Sequence, residues 1–146
     1  MRIRKMTIDD YENVYGLWVD TPGMGLNTID DSKAGFYKFL QRNPISCFVA
    51  ENDNEIIGSI LSGHDGRRGL IYHLAVRVAD RTKGVGSALV DCALDALKSE
   101  GIAKVYITIY KNNDDGNAFW EKRGFTIPES TIYRAKEIIT LEHLEI

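Results

Sequence analysis

The sequence predicts an α/β fold, with short strands and helices interleaved around a mixed sheet. Three observations point there. The run Leu70 to Val78 is apolar on both alternating sets, as expected of a strand buried on two faces. After a glycine-containing turn, Val85, Ala88, Leu89, Cys92, Ala93, Ala96 and Leu97 recur at three- and four-residue steps, which marks one face of a long helix. Other short strand and helix patterns lie on either side of this pair. No repeat, low-complexity tract or Pro/Ser-rich linker divides them, so 1–146 reads as a single domain.

The elements follow in order. Ile3 to Met6 is a short first strand. Thr7 can cap a helix whose apolar positions are Tyr11, Val14, Tyr15 and Trp18. Pro22, Gly23 and Gly25 make Asp20 to Thr28 a loop. A second helix is expected over Asp30 to Arg42, with Phe36, Phe39 and Leu40 on one side, and Asn43-Pro44 ends it. Ile45 to Glu51 and Ile56 to Ser62 are two strands of a hairpin joined by the polar turn Asn52 to Glu55. A Gly-rich polar loop, Gly63 to Gly69, leads into the buried strand. The long helix, Val85 to Lys98, stops at Gly101. Val105, Ile107 and Ile109 alternate as a further strand, and Asp114 to Lys122 is a short helix stopped at Gly124. Phe125 to Thr126 and Ile132 to Leu141 supply the last strands.

Composition narrows the function classes. The hydrophobic share is 44%, the charged share 27% and the formal net charge −3. That balance gives no support for a nucleic-acid partner, which usually selects a basic stripe. No stretch approaches the roughly 18 apolar residues of a membrane helix, and Met1 to Asp10 has no signal-peptide core. The expected compartment is cytoplasmic, with no membrane partner. Cys47 and Cys92 both sit in apolar patterns and read as buried thiols. His64, His73 and His143 form no zinc-ligand spacing with them, so no metal is expected.

The chemistry concentrates in Arg81-Thr82-Lys83-Gly84-Val85-Gly86. Gly84 and Gly86 lack a Cβ and let the backbone approach a ligand. The helix that begins there offers free N–H groups and a positive dipole end, together an anion site suited to a pyrophosphate. Arg81 and Lys83 add positive charge. The segment is not a Walker A loop, because no Gly-Lys-Ser/Thr follows. Nor is it a Rossmann fingerprint, since position 89 is leucine.

Leu74-Ala75-Val76, four intervening residues, then R-T-K-G-V-G resembles the acetyl-CoA motif of the GNAT N-acetyltransferase superfamily. Asn113 followed by Phe119-Trp120-Glu121-Lys122-Arg123-Gly124-Phe125 is similar to the family's Asn…aromatic-x-x-x-Gly-Phe ending. Ile3-Arg4-Lys5-Met6-Thr7 with Asp10 looks like a GNAT start. Gly63 to His73 further resembles a subset of bacterial members without a settled acceptor. The resemblance covers nearly the whole chain. It implies the acyl-CoA N-acyltransferase fold, a central mixed sheet with helices on both faces, and acetyl-CoA as cosubstrate. Backbone groups of Leu74, Ala75 and Val76 would line the pantetheine arm, those of Leu74 and Val76 pairing with it as an added strand does. Amides from Thr82 through Ser87, Val85 among them, would hold the pyrophosphate, and Asn113 would touch the cofactor arm. The strands Leu70–Val78 and Val105–Tyr110 would splay to admit it. The acceptor amine would attack the thioester directly, with the Leu74 amide stabilising the oxyanion. Relatives are often dimers, so a homodimer is expected.

One departure matters. Many relatives carry a tyrosine at the position of Trp120, as general acid for the thiolate. Tryptophan cannot ionise usefully, so Trp120 reads as a packing residue. The resemblance offers Tyr72, Leu70 and Thr108 as positions for a base. Only Tyr72 titrates, and its reference pKa of about 10 suits an acid better. Strand alternation puts Tyr72 on the face of Leu74 and turns His73 to the opposite face; a β-bulge would reverse this and bring His73 forward. The catalytic candidates are therefore Tyr72 and, after it, His73. His64, Asp65, Arg67 and Arg68 read as loop chemistry. Three readings stand: an N-acetyltransferase acting on a small-molecule or peptide amine, a non-catalytic acyl-CoA-binding or regulatory domain, and another nucleotide-binding α/β protein.

Overall fold

The computed structural model describes residues 1–144; the last two positions of the expected 1–146 domain lie outside the described residues. Five strands form one sheet in chain order: β1 (Arg2–Lys5), β2 (Phe48–Asn52), β3 (Glu55–His64), β4 (Gly69–Val76) and β5 (Val105–Ile107). The first three pairings are antiparallel and β4–β5 is parallel. Four helices flank it: α1 (Tyr11–Val19), α2 (Lys33–Arg42), α3 (Val85–Ser99) and α4 (Asp114–Lys122). The sheet is mixed and the helices lie on both of its faces.

Period-two alternation in the strands builds two cores, one per face. Val49, Leu61 and Ala75 join Val14, Leu17 and Trp18 of α1 and Phe36 and Leu40 of α2. Ala50, Ile57, Ile60 and Ile71 join Val85, Leu89, Val90 and Ala93 of α3 and Trp120 of α4. Trp18 is fully buried, and its indole N–H donates to the Ser59 hydroxyl at 3.3 Å.

Local chemistry sets the ends of the elements. Thr7 and Asp10 form a capping box, and Ile8–Asp10 is a 3₁₀ turn that leads into α1. Asp10 also takes both arms of the Arg4 guanidinium, at 2.8 and 2.9 Å, tying β1 to this turn. Helix α2 begins at Lys33 rather than Asp30, because the Ser32 hydroxyl accepts from the Gly35 N–H and caps it there. The β2–β3 hairpin turns through Asp53 and Asn54, with φ of +50° and +65° at the two central residues as a primed turn requires. Gly101 and Gly124 close α3 and α4 in left-handed geometry.

Five expectations on strands need correction. The second strand starts at Phe48, because Ser46 bonds across to β3 through its hydroxyl, donating to the Ser62 carbonyl at 2.6 Å. The buried strand stops at Val76, and Val78–Asp80 is a 3₁₀ turn. β5 stops at Ile107, not Tyr110. Phe125–Thr126 and Ile132–Leu141 form no strands. The apolar residues Ile132-Tyr133 and Ile138-Ile139 come in adjacent pairs, which commit neither face to a core, and all four are exposed. The segment instead returns to the loop before α2. There Asn27 and His143 form an isolated bridge, the Thr28 N–H donates to Glu142, and the Leu144 N–H donates to Leu26.

Candidate active site

The parallel pairing of β4 with β5 lasts three residues and ends at Ile71 opposite Ile107. Beyond it β4 runs on to Val76 paired with β3 only, so β4 and β5 part there, as the resemblance implies. The Arg77 N–H donates to Ile57 of β3 at 2.7 Å. By strand alternation the backbone groups of Val76 and Leu74 turn the other way, toward the gap β5 leaves. The Val76 carbonyl there accepts from the Arg81 side chain at 3.1 Å. An extended ligand meets a ready edge.

The gap leads to the first turn of α3. Thr82 and Gly84 both have left-handed backbones, φ +64° and +82°. Among the described residues the amides of Thr82, Lys83, Gly84, Val85, Gly86 and Ser87 donate to no protein acceptor. Gly84 is needed for its conformation. Gly86 faces α4: a Cβ there would stand 3.5 Å from the Phe119 ring, an ordinary van der Waals contact. Lys83 lies 3.9 Å from Asp80, which Arg77 anchors at 2.7 Å. Arg123 was not legible as part of this corner. Its guanidinium stacks 4.5 Å over Phe119 and meets the Ser87 hydroxyl, and its Nε is buried without a partner among the described residues.

Asn113 caps α4, its side-chain oxygen accepting from the Gly116 N–H at 3.0 Å. Trp120 is 9% exposed and packs edge-on against Phe119 and Phe125, a packing residue as expected.

Next to the point where pairing ends, β4 carries a bulge. Ser59 pairs with Ala75 but Leu61 pairs with Tyr72, so Ile60 faces two residues, His73 and Leu74. His73 takes φ +50° to make the step. The facing expected from plain alternation is corrected by it. Leu74 packs toward the α3 core, whereas Tyr72 meets Phe39 of α2 and His73 meets Trp18 of α1. Tyr72 and His73 are thus consecutive residues on one face, ring centroids 6.5 Å apart, and Tyr72 does not share the face of Leu74. Burial, followed by the nearby Tyr133 and Asp30, pushes the Tyr72 phenol above its ordinary value, so it stays protonated.

His73 has a partner the sequence reading did not name. Its Nε2 lies 2.7 Å from Oδ1 of Asp31, whose side chain is 4% exposed. The other Asp31 oxygen accepts from the Asn27 N–H at 2.9 Å. Asp31 had been absorbed into the helix expected from residue 30. The signal that frees it is Ser32 with Gly35, which starts the helix at residue 33. The α1–α2 loop also reaches the chain beyond β5: a Cβ on Gly25 would stand 3.0 Å from the Tyr110 hydroxyl.

The remaining candidates fall to loop chemistry. Asp65 accepts from the Arg67 and Arg68 amides at 2.7 and 2.8 Å, and His64 Nδ1 accepts from Gly66 at 2.9 Å. A cleft of about 540 Å³ between α1 and the Val78 turn contains neither Tyr72 nor His73. Among the described residues no His/Cys/Asp/Glu group has the arrangement of a metal site, and no helix is long and apolar enough to cross a membrane.

Comparison with known proteins matches residues 11–125 to the Acetyltransferase (GNAT) family. The chain belongs to that family. It is 30% identical over 139 residues to Acetyltransferase SG1711 of Sodalis glossinidius (strain morsitans), covering 95% of this chain and 96% of that protein. Among solved structures it is similar to Ard1 from Thermoplasma volcanium, with TM-score 0.77, 25% identity, and coverage of 87% of this chain and 83% of that one. The PaiA N-acetyltransferase from Thermoplasma acidophilum, in complex with coenzyme A, superposes with TM-score 0.75 at 21% identity, covering 89% and 92% of the two chains. The five-stranded mixed sheet and its four helices are the architecture of these GNAT acetyltransferases.

Proposed function

We propose that this GNAT acetyltransferase moves the acetyl group of acetyl-CoA directly to an amine, most simply a small molecule. The observation that carries the reading is the continuity of one surface. The edge of β4 at Leu74 and Val76, which no neighbouring strand covers, runs into the undonated amides of Thr82 to Ser87 at the start of a 15-residue helix. An extended arm ending in a pyrophosphate fits such a surface. The residues present suit it chemically, since Arg81, Lys83 and the unpartnered Nε of Arg123 supply positive charge at the phosphate end. Asn113 has its oxygen committed to the cap, which leaves its amide nitrogen for the arm.

The thioester would then lie where β4 and β5 separate, beside Tyr72. The Leu74 N–H would donate to the developing oxyanion, and the Tyr72 hydroxyl would donate to the departing sulfur. A thiol has a reference pKa of about 8.5, so this donation contributes modestly. The acidic side chains Asp30 and Asp31 on the neighbouring loop favour a basic, cationic acceptor such as an amine. Cys47 and Cys92 are both free, which suits the cytoplasm.

The test measures coenzyme A affinity by calorimetry and thiol release from acetyl-CoA across a panel of primary amines. We expect micromolar binding and amine-dependent thiol release. Tyr72→Phe should lower turnover about tenfold with affinity nearly unchanged. Binding without release, from any amine, would select the acyl-CoA-binding reading, for which the non-ionisable, packed Trp120 speaks. Absence of binding would remove both.

A further inference from the structure

We propose that His73 is the group that takes the proton from the attacking amine, and that Asp31 is the positioning residue that makes it able to do so. The inference rests on the acetyl-transfer reading above and assigns its missing base.

Four observations converge. The first is the bulge itself. His73 holds φ +50° within a strand, a left-handed backbone that sterics disfavour for residues other than glycine. The step turns an imidazole onto the face of the sheet where Tyr72 lies, two residues past the end of the β4–β5 pairing. Second, the ring is held. It stands edge-on to Trp18 with centroids 4.8 Å apart, and Trp18 is itself fixed by Ser59. Third, its Nε2 is 2.7 Å from a carboxylate that is nearly excluded from solvent. A carboxylate only accepts, so Nε2 carries a proton and, in the neutral ring, Nδ1 is left bare as an acceptor. Fourth, that carboxylate is oriented in turn. Asn27 donates its amide to Oδ2, and the Tyr11 hydroxyl donates to the Asp31 carbonyl at 2.7 Å. A base, a carboxylate on its far nitrogen, and a backbone that fixes the carboxylate are the parts of an activated proton acceptor.

The step balances. The amine nitrogen forms a bond to the acetyl carbonyl carbon and the carbon–sulfur bond breaks. The proton of the nascent amide goes to His73 Nδ1. The imidazolium so formed is stabilised by Asp31 and returns its proton to solvent. The thiolate leaves with a proton from Tyr72 or from water.

The pair is read out in two ways on the full chain. Ring-nitrogen NMR of labelled histidine reports the tautomer. His73 is assigned by the signal lost in His73→Asn, a substitution that tolerates a left-handed backbone. Wild type should carry the proton on Nε2, and Asp31→Asn should lose that single tautomer. In the thiol-release assay both variants should lose at least about tenfold in kcat. Their KM for acetyl-CoA and their calorimetric coenzyme A affinity should stay within about twofold of wild type. A merely structural pair would not divide kcat from KM in this way. Full turnover in folded His73→Asn or Asp31→Asn, or a wild-type ring protonated on Nδ1 alone, overturns the proposal and leaves acetyl transfer standing. Wild type inert toward the whole amine panel overturns the acetyl-transfer reading, and this assignment with it.

Discussion

Thr82 is a β-branched residue held at φ +64° in the turn before α3, a conformation that sterics disfavour. Thr82→Gly should therefore raise stability by about 1 kcal/mol, measured by urea denaturation, while loosening a turn on which the amides proposed to hold the pyrophosphate depend. Its neighbours divide by the same logic. Gly84 is left-handed with open space around it, so Gly84→Ala should cost about 1 kcal/mol from backbone strain alone. Gly86 has an ordinary helical backbone, and the methyl of Gly86→Ala would touch Phe119 at normal van der Waals distance; its stability should change by less than about 1 kcal/mol. At this scale the glycine positions were legible and their separate reasons were not. The spacing of Gly84 and Gly86 marks a turn and a helix start, whereas the approach of Phe119 comes from a helix nearly thirty residues later. Asp31 escaped for a similar cause: its neighbour in sequence is a helix, but its chemical neighbour is His73.

Among elements, the join of β1 to the turn before α1 rests on Arg4 and Asp10. Burial pushes the Asp10 carboxyl up, but the Arg4 guanidinium and the Thr7 amide outweigh it, so the group stays below the ordinary carboxylate value. A carboxyl depressed in the folded state stabilises the fold above its unfolded pKa, about 3.9, and that contribution fades as pH falls through the folded value. Asp10→Asn should cost about 2 kcal/mol at pH 7 and progressively less below about pH 4. A constant cost from pH 7 to pH 3 would mean the ion pair is not its source. Element identity was read well where one face had to be buried: α3 and α4 begin where their periodicity begins. The strands expected in Ile132–Leu141 failed because β propensity does not create a strand without a neighbour to pair with. The β4 bulge entered the sequence reading only as the alternative that would bring His73 forward, for a related reason. Nothing in Ile71-Tyr72-His73-Leu74 breaks the apolar pattern, and only the register against β3 reveals that one residue is extra.

For the whole molecule, chain order is sheet order, and the last pairing alone is parallel. The class, the helices on both faces and the parting of β4 from β5 all follow from the apolar pattern and the resemblance. The residues proposed to form the site come from five separate stretches, at 27–31, 72–76, 81–87, 113 and 123, and no local pattern ties them together. The half-paired β4 also leaves a mark in time. Along this strand the N–H groups of Ala75 and Arg77 point into the sheet and those of Leu74 and Val76 point out of it. In deuterated water the free protein should exchange these four amides at two speeds, slow and fast in turn, past the bulge of a single strand. A ligand lying along the gap would slow the fast set and leave the slow set as it was. The sheet would then record occupancy amide by amide, as a clock in which every second tick changes rate.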